Sequence, residues 1–360
     1  MVIHMSSQAT AAQEEAVIER ILAAGFRYEV IHGSTGIDVI GVIGDLVSVE
    51  ESFFAELDGV DKVIRITKPY KRVLKKTPAD KKIIELDSVT IGGPGLFLMA
   101  GPCSIESREQ LAATASYVSE LGIPVLRAGA YKPRTSPYSY QGMGRAGLEL
   151  LAAVRESTGL KIITEATGLH HHLVDGRSAE KLNVLENVLE VTDILQIGAR
   201  NMKSYGFLQE VAAMSGGKGI PILLKRGDSS TLKDFLLAAE YLVANGNPDV
   251  MLCLRGIRTF EDECFQRSTP DLGAIAVLKE ESNLPVIFDP SHSCGYRSRV
   301  GAVALAAVAA GADGLLVETH IDPGSALCDG EQSVTRSQLA AIVRDAHAIR
   351  SIVCASRGSG

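Results

Sequence analysis

The sequence lacks a run of about 18 uncharged apolar residues, the minimum for a spanning helix; its nearest candidate, Val300 to Gly311, is too short. No basic segment followed by an apolar one opens the chain, so no secretory signal is expected and a cytoplasmic location is. No CxxC pair occurs. The six cysteines (Cys103, Cys253, Cys264, Cys294, Cys328, Cys354) are scattered, which suits free thiols or a metal ligand better than a disulfide frame. Positive charge is not in excess: 36 Lys and Arg stand against 43 Asp and Glu, a net charge of −7 that argues against general nucleic-acid binding. What is present is length and apolar content. At 360 residues and 46% hydrophobic, the chain can build one large core, alone or beside a small one.

The first part reads β-α-β-β-α-β, the order of a small ferredoxin-like α+β domain over residues 1–75. Strands are expected at 1–5, 26–31, 37–43 and 60–66, with helices at 8–24 and 49–57. The domain holds no cluster of His, Cys or carboxylates suited to chemistry, so a regulatory or structural role is expected. Lys68 to Asp87 is rich in lysine and holds two prolines, which reads as a solvated linker or domain boundary, with the linker itself set at 76–90. From Leu96 onward, eight apolar runs alternate with helix-like segments: Leu96–Ala100, Pro124–Leu126, Lys161–Thr164, Asp193–Ile197, Pro221–Leu224, Val250–Leu254, Pro285–Phe288 and Gly314–Val317. That rhythm predicts an α/β fold, a (β/α)8 TIM barrel over 91–352 with a tail at 353–360. A doubly wound open sheet is the rival.

Each expected strand runs into a chemically active group. In order these are Cys103 in GPCSIES, the loop VLRAGAYKPRTSPYSYQG, Glu165, Arg200 in QIGARN, Lys225 with Arg226, Arg255, His292 in DPSHS, and Glu318 with His320; Asp329 follows in the next loop. In a barrel all parallel strands end at one mouth, so these groups should meet there. They sort into two sets. Arg127, Lys132, Arg134, Arg200, Lys225 and Arg255 are cations, whose crowding calls for a polyanionic substrate; Arg134 with the Thr135 hydroxyl suits a phosphate group. Cys103, His292, Glu318 and Asp329 offer thiolate, imidazole and carboxylates, a mixed set suited to a divalent first-row metal. The triplet His170, His171 and His172 is read as surface, because adjacent residues do not converge, and Gly216 to Gly219 as a turn without P-loop spacing.

These motifs, AGPCSIES, LRAGAYKPRTSPYSYQG, QIGARN, LLKRG, LRGIRTFE, FDPSHS and VETH followed by DGEQS, resemble those of the 3-deoxy-D-arabino-heptulosonate 7-phosphate (DAHP) synthase family, in the group with an N-terminal ferredoxin-like domain. The resemblance covers nearly the whole chain. It implies condensation of phosphoenolpyruvate with D-erythrose 4-phosphate and water, giving DAHP and phosphate, the first step of the shikimate pathway. It implies Cys103, His292, Glu318 and Asp329 as ligands of one divalent ion, Mn2+ first, with Fe2+, Co2+ or Zn2+ as alternatives. Arg127, Lys132, Arg200, Lys225 and Arg255, with the Ala199 backbone and Glu165 nearby, are the implied phosphoenolpyruvate set; Arg134 and Thr135 are the implied holders of the sugar phosphate.

Lys132 is expected to relay a proton, with a pKa lowered by its cationic neighbours. His292 and Asp329 count among the catalytic groups with Lys132 and Glu165; which group activates the attacking water stays open. A homotetramer, and feedback inhibition by tyrosine or phenylalanine through the small domain, are further implications. The alternatives are 3-deoxy-octulosonate 8-phosphate synthesis from arabinose 5-phosphate, against which Pro133 and Thr135 argue, and an inactive barrel kept as an aromatic amino-acid sensor. Departures from the family pattern are the long segment from His170 to Val191, Leu254 before Arg255, and Cys294 and Tyr296 after His292.

Overall fold

A computed structural model describes the chain apart from residues 33–37, 45, 47–48, 66–67, 133–135, 137, 168–183, 262–264 and 358–360. Arg134, Thr135 and the His170–His172 triplet therefore lie outside the described residues. The chain divides into two compact units, Met1–Pro69 and Tyr70–Gly360.

The first unit contains β1 (Val2–Met5), α1 (Ala11–Ala23), β2 (Arg27–His32), β3 (Asp38–Ile43), α2 (Ser52–Ala55) and β4 (Val60–Ile64). Its antiparallel sheet has the order β2-β3-β1-β4, the ferredoxin-like arrangement. Helix α1 starts at a capping box. Thr10 accepts from the Gln13 backbone, and the Gln13 side chain returns the bond to Thr10. Val17 and Ile21 on its inner face pack with Ile3, Met5, Ile40 and Phe54 into a core of its own. The second expected helix, 49–57, shortens to one turn; its N-cap position is Glu51, which makes no capping hydrogen bond.

The second unit opens with a hairpin, β5 (Ile84–Leu86) and β6 (Val89–Ile91). A closed parallel barrel follows, of β7 (Phe97–Gly101), β8 (Val125–Arg127), β9 (Lys161–Ala166), β10 (Ile194–Ile197), β11 (Ile222–Lys225), β12 (Val250–Leu254), β13 (Val286–Phe288) and β14 (Gly314–Glu318). Helices α3 (Arg108–Glu120), α4 (Arg145–Thr158), α5 (Val184–Val191), α6 (Tyr205–Gly216), α7 (Leu232–Ala244), α8 (Gly273–Glu281), α9 (Pro290–Cys294), α10 (Arg297–Ala309) and α11 (Arg336–Arg357) complete it. Successive strand residues point to opposite faces, so the apolar runs split into two cores. Leu98, Leu126, Ile162, Leu195, Leu224 and Leu252 meet the surrounding helices, while Phe97, Met99, Val125, Ile163, Ile194, Leu223, Met251 and Ile287 fill the interior.

Two boundaries differ from expectation. The stretch read as a solvated linker belongs to the barrel unit. Tyr70 and Val73 are buried, the Tyr70 hydroxyl donates to Glu281 at 2.7 Å, and the backbone N–H groups of Arg72 and Val73 donate to the Glu240 carboxylate at 2.9 to 3.1 Å. Ile84, Val89 and Ile91 join the interior core beside residues at the strand starts, so the hairpin closes that end of the barrel. A lysine-rich composition concealed these few apolar anchors. At the other end of the chain, α11 continues to Arg357 and takes in much of the expected tail.

Candidate active site

The mouth at the strand ends is assembled from short-range chemistry. The segment DPSHSCG writes a one-turn helix: Asp289 caps it by accepting from the His292 N–H at 2.9 Å, Pro290 occupies the first turn, and Gly295 ends it in a left-handed conformation. This turn points His292 inward. Gly101, at φ +153°, lies so close to β8 that a Cβ would sit 2.0 Å from the Arg127 carbonyl oxygen, so only glycine lets β7 deliver Cys103 beside Arg127. Asp329 has φ +53°, one of two described non-glycine residues on that side of the map.

The four expected ligands fall into two groups that share Asp329. His292, Glu318 and Asp329 offer donor atoms within 4.8 Å of one another, and Asp329 also belongs to a second such group with Cys103 and Cys328. Cys103 Sγ lies 3.1 Å from Asp329 Oδ2 and 2.8 Å from Cys328 Sγ. Asp289 Oδ2 stands 2.8 Å from His292 Nδ1, leaving Nε2 toward Glu318 Oε1 at 3.7 Å. Soft sulfur, imidazole and hard carboxylate together fit a divalent first-row ion. The buried imidazole also fits: burial pushes the His292 pKa down, more than Asp289 and Glu318 push it up, so it is neutral with a lone pair to give. Burial pushes the Cys103 thiol well up, as does its contact with Cys328. Glu318 is the reverse case. Burial alone would raise it, but the charge His292 acquires in acid, together with the Arg127 guanidinium, outweighs that and holds it at about 2.

The cation set lines an adjoining cavity of about 160 Å³. Arg127, Lys132, Glu165, Ala199, Arg200, Lys225 and Arg255 all face it, along with His292 and Asp329. Arg127 and Lys225 are buried on acidic partners, Arg127 on Glu318 and Lys225 on Asp289 at 2.5 Å. Glu165 accepts from Gln196 Nε2 at 2.9 Å, and Gly198 leaves room for it: a Cβ there would lie 2.0 Å from Glu165 Oε1. A larger cavity of about 550 Å³ shares Arg200, Arg255, Arg267 and Asp329 with the first and extends to Arg258 and Tyr296.

Lys132 corrects one expectation. Its pKa is raised, not lowered: burial and Arg127 pull it down, but the negative charge shared by the Cys103–Cys328 pair and that of Glu318 overcome them. The sequence showed the cations along one loop and not the acids packed across from it. Two strand-end groups turn away from the mouth. Arg226 pairs with Asp271 at 2.7 Å, and His320 Nε2 faces Glu106 at 3.4 Å while its Nδ1 accepts from the Asp322 N–H.

Other residues of the site went unread. Cys328 touches Cys103. Arg267 Nη1 reaches Asp329 Oδ1 at 3.2 Å and Gln332 Oε1 at 2.6 Å, and Gln332 in turn donates to Glu318. Asp289 and Gln332 sit inside motifs already singled out, which was the available signal; Arg267 carried none.

Two family models divide the chain between them. Residues 76–351 match the DAHP synthetase I family, and residues 1–68 match the DAHP synthase ferredoxin-like domain. The chain belongs to the DAHP synthetase I family. It is thereby an enzyme, a transferase of the 3-deoxy-7-phosphoheptulonate synthase class. Among similar proteins, a phospho-2-dehydro-3-deoxyheptonate aldolase of Thermotoga maritima is 45% identical over 296 residues, 82% of each chain. A 2-dehydro-3-deoxyphosphooctonate aldolase of Alkalilimnicola ehrlichii is 36% identical over 65% of this chain and 83% of its own length. The crystal structure of the Thermotoga maritima DAHP synthase superposes with a TM-score of 0.74 at 38% identity, covering 98% of both chains. Among the described residues, no helix is long and apolar enough to cross a membrane.

Proposed function

We propose that this DAHP synthetase I family member condenses phosphoenolpyruvate with D-erythrose 4-phosphate and water, in a reaction that requires a divalent metal, and that it works as a cytoplasmic homotetramer. The observation that carries this reading is the Arg127–Glu318 pair, which sets the anion-binding cations directly against the metal-suited cluster.

In the reaction, C3 of phosphoenolpyruvate attacks the aldehyde carbon and a C–C bond forms. The aldehyde oxygen takes a proton, water adds at C2, and the C2–O bond to phosphate breaks. Cys103, His292, Glu318 and Asp329 would hold the divalent ion, which would supply Lewis acidity for the aldehyde oxygen. Arg127, Lys132, Arg200, Lys225 and Arg255, with the Ala199 backbone, hold the carboxylate and phosphate of phosphoenolpyruvate, and their fixed fork and point charges orient C3 for attack. Lys132 is charged at rest, because its pKa is raised, so it starts as a proton donor to the developing alkoxide. Glu165, held by Gln196, faces the same cavity as a carboxylate able to take a proton from water. Arg134 and Thr135 hold the sugar phosphate.

Purified protein with Mn2+ and both substrates should release phosphate, lose that activity with a chelator, and regain it when Mn2+ is restored. Absence of turnover with any divalent ion would overturn the reading. The octulosonate aldolase relatives motivate one comparison: arabinose 5-phosphate in place of erythrose 4-phosphate should be the poorer acceptor, and a preference for it would reassign the product. For the small domain we propose feedback inhibition by tyrosine or phenylalanine, supported by the lack of a catalytic cluster among its described residues and by a cavity of about 610 Å³ bounded by Arg20, Phe26, Val49 and Phe53.

A further inference from the structure

Asp289 is fully buried, and each of its carboxylate oxygens is engaged. Oδ1 accepts from the His292 backbone N–H at 2.9 Å and holds the one-turn helix α9 in place. Oδ2 meets two nitrogens from different parts of the site: it accepts a hydrogen bond from Lys225 Nζ at 2.5 Å and makes an ion-pair contact with His292 Nδ1 at 2.8 Å. The second lies on an imidazole whose other nitrogen faces Glu318 and Asp329; the first is an ammonium lining the cation cavity. A single oxygen therefore touches both halves of the site.

We propose that Asp289 is a positioning residue that makes metal binding and phosphoenolpyruvate binding reinforce each other, by sharing Oδ2 between His292 and Lys225. This rests on the reading of the site given above. The physical basis is competition for one acceptor. An ion on His292 Nε2 makes Nδ1–H a stronger donor, draws the Oδ2 charge toward the imidazole, and leaves Lys225 less neutralised and better able to hold an anion. An anion on Lys225 loosens its grip on Oδ2 and returns that charge to His292, raising the basicity of Nε2. Linkage requires the two effects to be equal.

The substitution that isolates this is Asp289→Asn. It keeps the size of the side chain and an oxygen for the His292 N–H cap, but places an amide donor where two nitrogens already converge. Mn2+ affinity of the full chain is measured by calorimetry with and without saturating phosphoenolpyruvate, in the absence of any sugar so that no turnover occurs. In the unsubstituted protein, phosphoenolpyruvate should tighten Mn2+ binding by roughly ten-fold, within the usual range of coupling between sites. In Asp289→Asn that ratio should fall toward one. The direct attraction between ion and anion is present in both proteins, so the difference between the ratios belongs to Asp289.

Equal ratios in the two proteins, even with both affinities weakened, would overturn the proposal and leave Asp289 a merely structural cap. If the unsubstituted protein binds neither Mn2+ nor phosphoenolpyruvate, the reading of the site itself fails, by a result distinct from equal ratios. Should the variant not fold, 15N spectra of the histidine rings in the unsubstituted protein decide: His292 must carry its proton on Nδ1, and a proton on Nε2 would overturn the proposal.

Discussion

Arg127 and Glu318 form an ion pair at the centre of the barrel mouth with side chains 4% and 0% exposed. They come from strands β8 and β14, which do not pair with each other, and from the two different charge sets expected from the sequence. Neither charge has solvent to fall back on. Removing one partner leaves the other buried and uncompensated, a loss of roughly 3–5 kcal/mol. Arg127→Met should therefore lower the thermal midpoint of the metal-free protein, while Arg127→Lys keeps the charge and loses less. Phosphate release should fall with both, because a lysine ammonium does not reproduce the arginine fork. Calorimetry and a phosphate-release assay on the same preparations check both parts.

Glu318, held by His292 and Arg127, also sets a pH dependence. The Glu318 carboxyl is held at about 2 in the fold against an ordinary value of 4.5. A pKa depressed by folding contributes stability above the unfolded value and loses it as pH falls through the folded one. The metal-free protein should therefore lose this contribution between about pH 4.5 and 2. Urea unfolding across that range should give a shallower decline for Glu318→Gln; an identical decline would remove Glu318 from the explanation.

Asp329 stores backbone strain at φ +53°. Asparagine tolerates that region and glycine is indifferent to it, whereas alanine resists it by roughly 1–2 kcal/mol. Without metal, Asp329→Gly and Asp329→Asn should be more stable than Asp329→Ala by that amount. All three should lose Mn2+ affinity, as they remove the carboxylate. Denaturant unfolding and Mn2+ titration separate the two effects.

At Gly198 the barrel leaves space for a functional group. An added methyl would overlap Glu165 Oε1, and the carboxylate, hydrogen-bonded to Gln196 on β10, must shift to admit it. Gly198→Ala should fold with a near-normal thermal midpoint and lower kcat/KM at least ten-fold, in keeping with the sensitivity of catalysis to misplaced groups. Activity close to that of the unsubstituted protein would show that Glu165 is dispensable.

The unit boundary makes a truncation test specific. Removing residues 1–69 spares Tyr70, Val73 and the β5–β6 hairpin, so the remaining chain should stay folded, active and insensitive to tyrosine and phenylalanine. Removing residues 1–91 strips Ile84, Val89 and Ile91 from the barrel interior and should give an aggregating product. Circular dichroism, light scattering and inhibition assays distinguish these results; inhibition that survives the shorter truncation would place the effector elsewhere.

The sequence by itself determined the rhythm of the fold. Eight apolar runs alternating with helix-like segments, each delivering a polar residue at its end, read as a parallel barrel because strand and helix patterns are local properties. The DPSHSCG turn was equally local, since a cap, a proline and a glycine set its geometry within seven residues. The tertiary structure alone decided which charges face each other. Glu318 against Arg127, Asp289 against both Lys225 and His292, and Arg267 against Asp329 are contacts between segments far apart in the chain. Packing likewise reverses the expected shift at Lys132, where the Cys103–Cys328 pair and Glu318 lie near the ammonium, because a buried group's pKa depends on what packs around it in three dimensions and not on its neighbours along the loop.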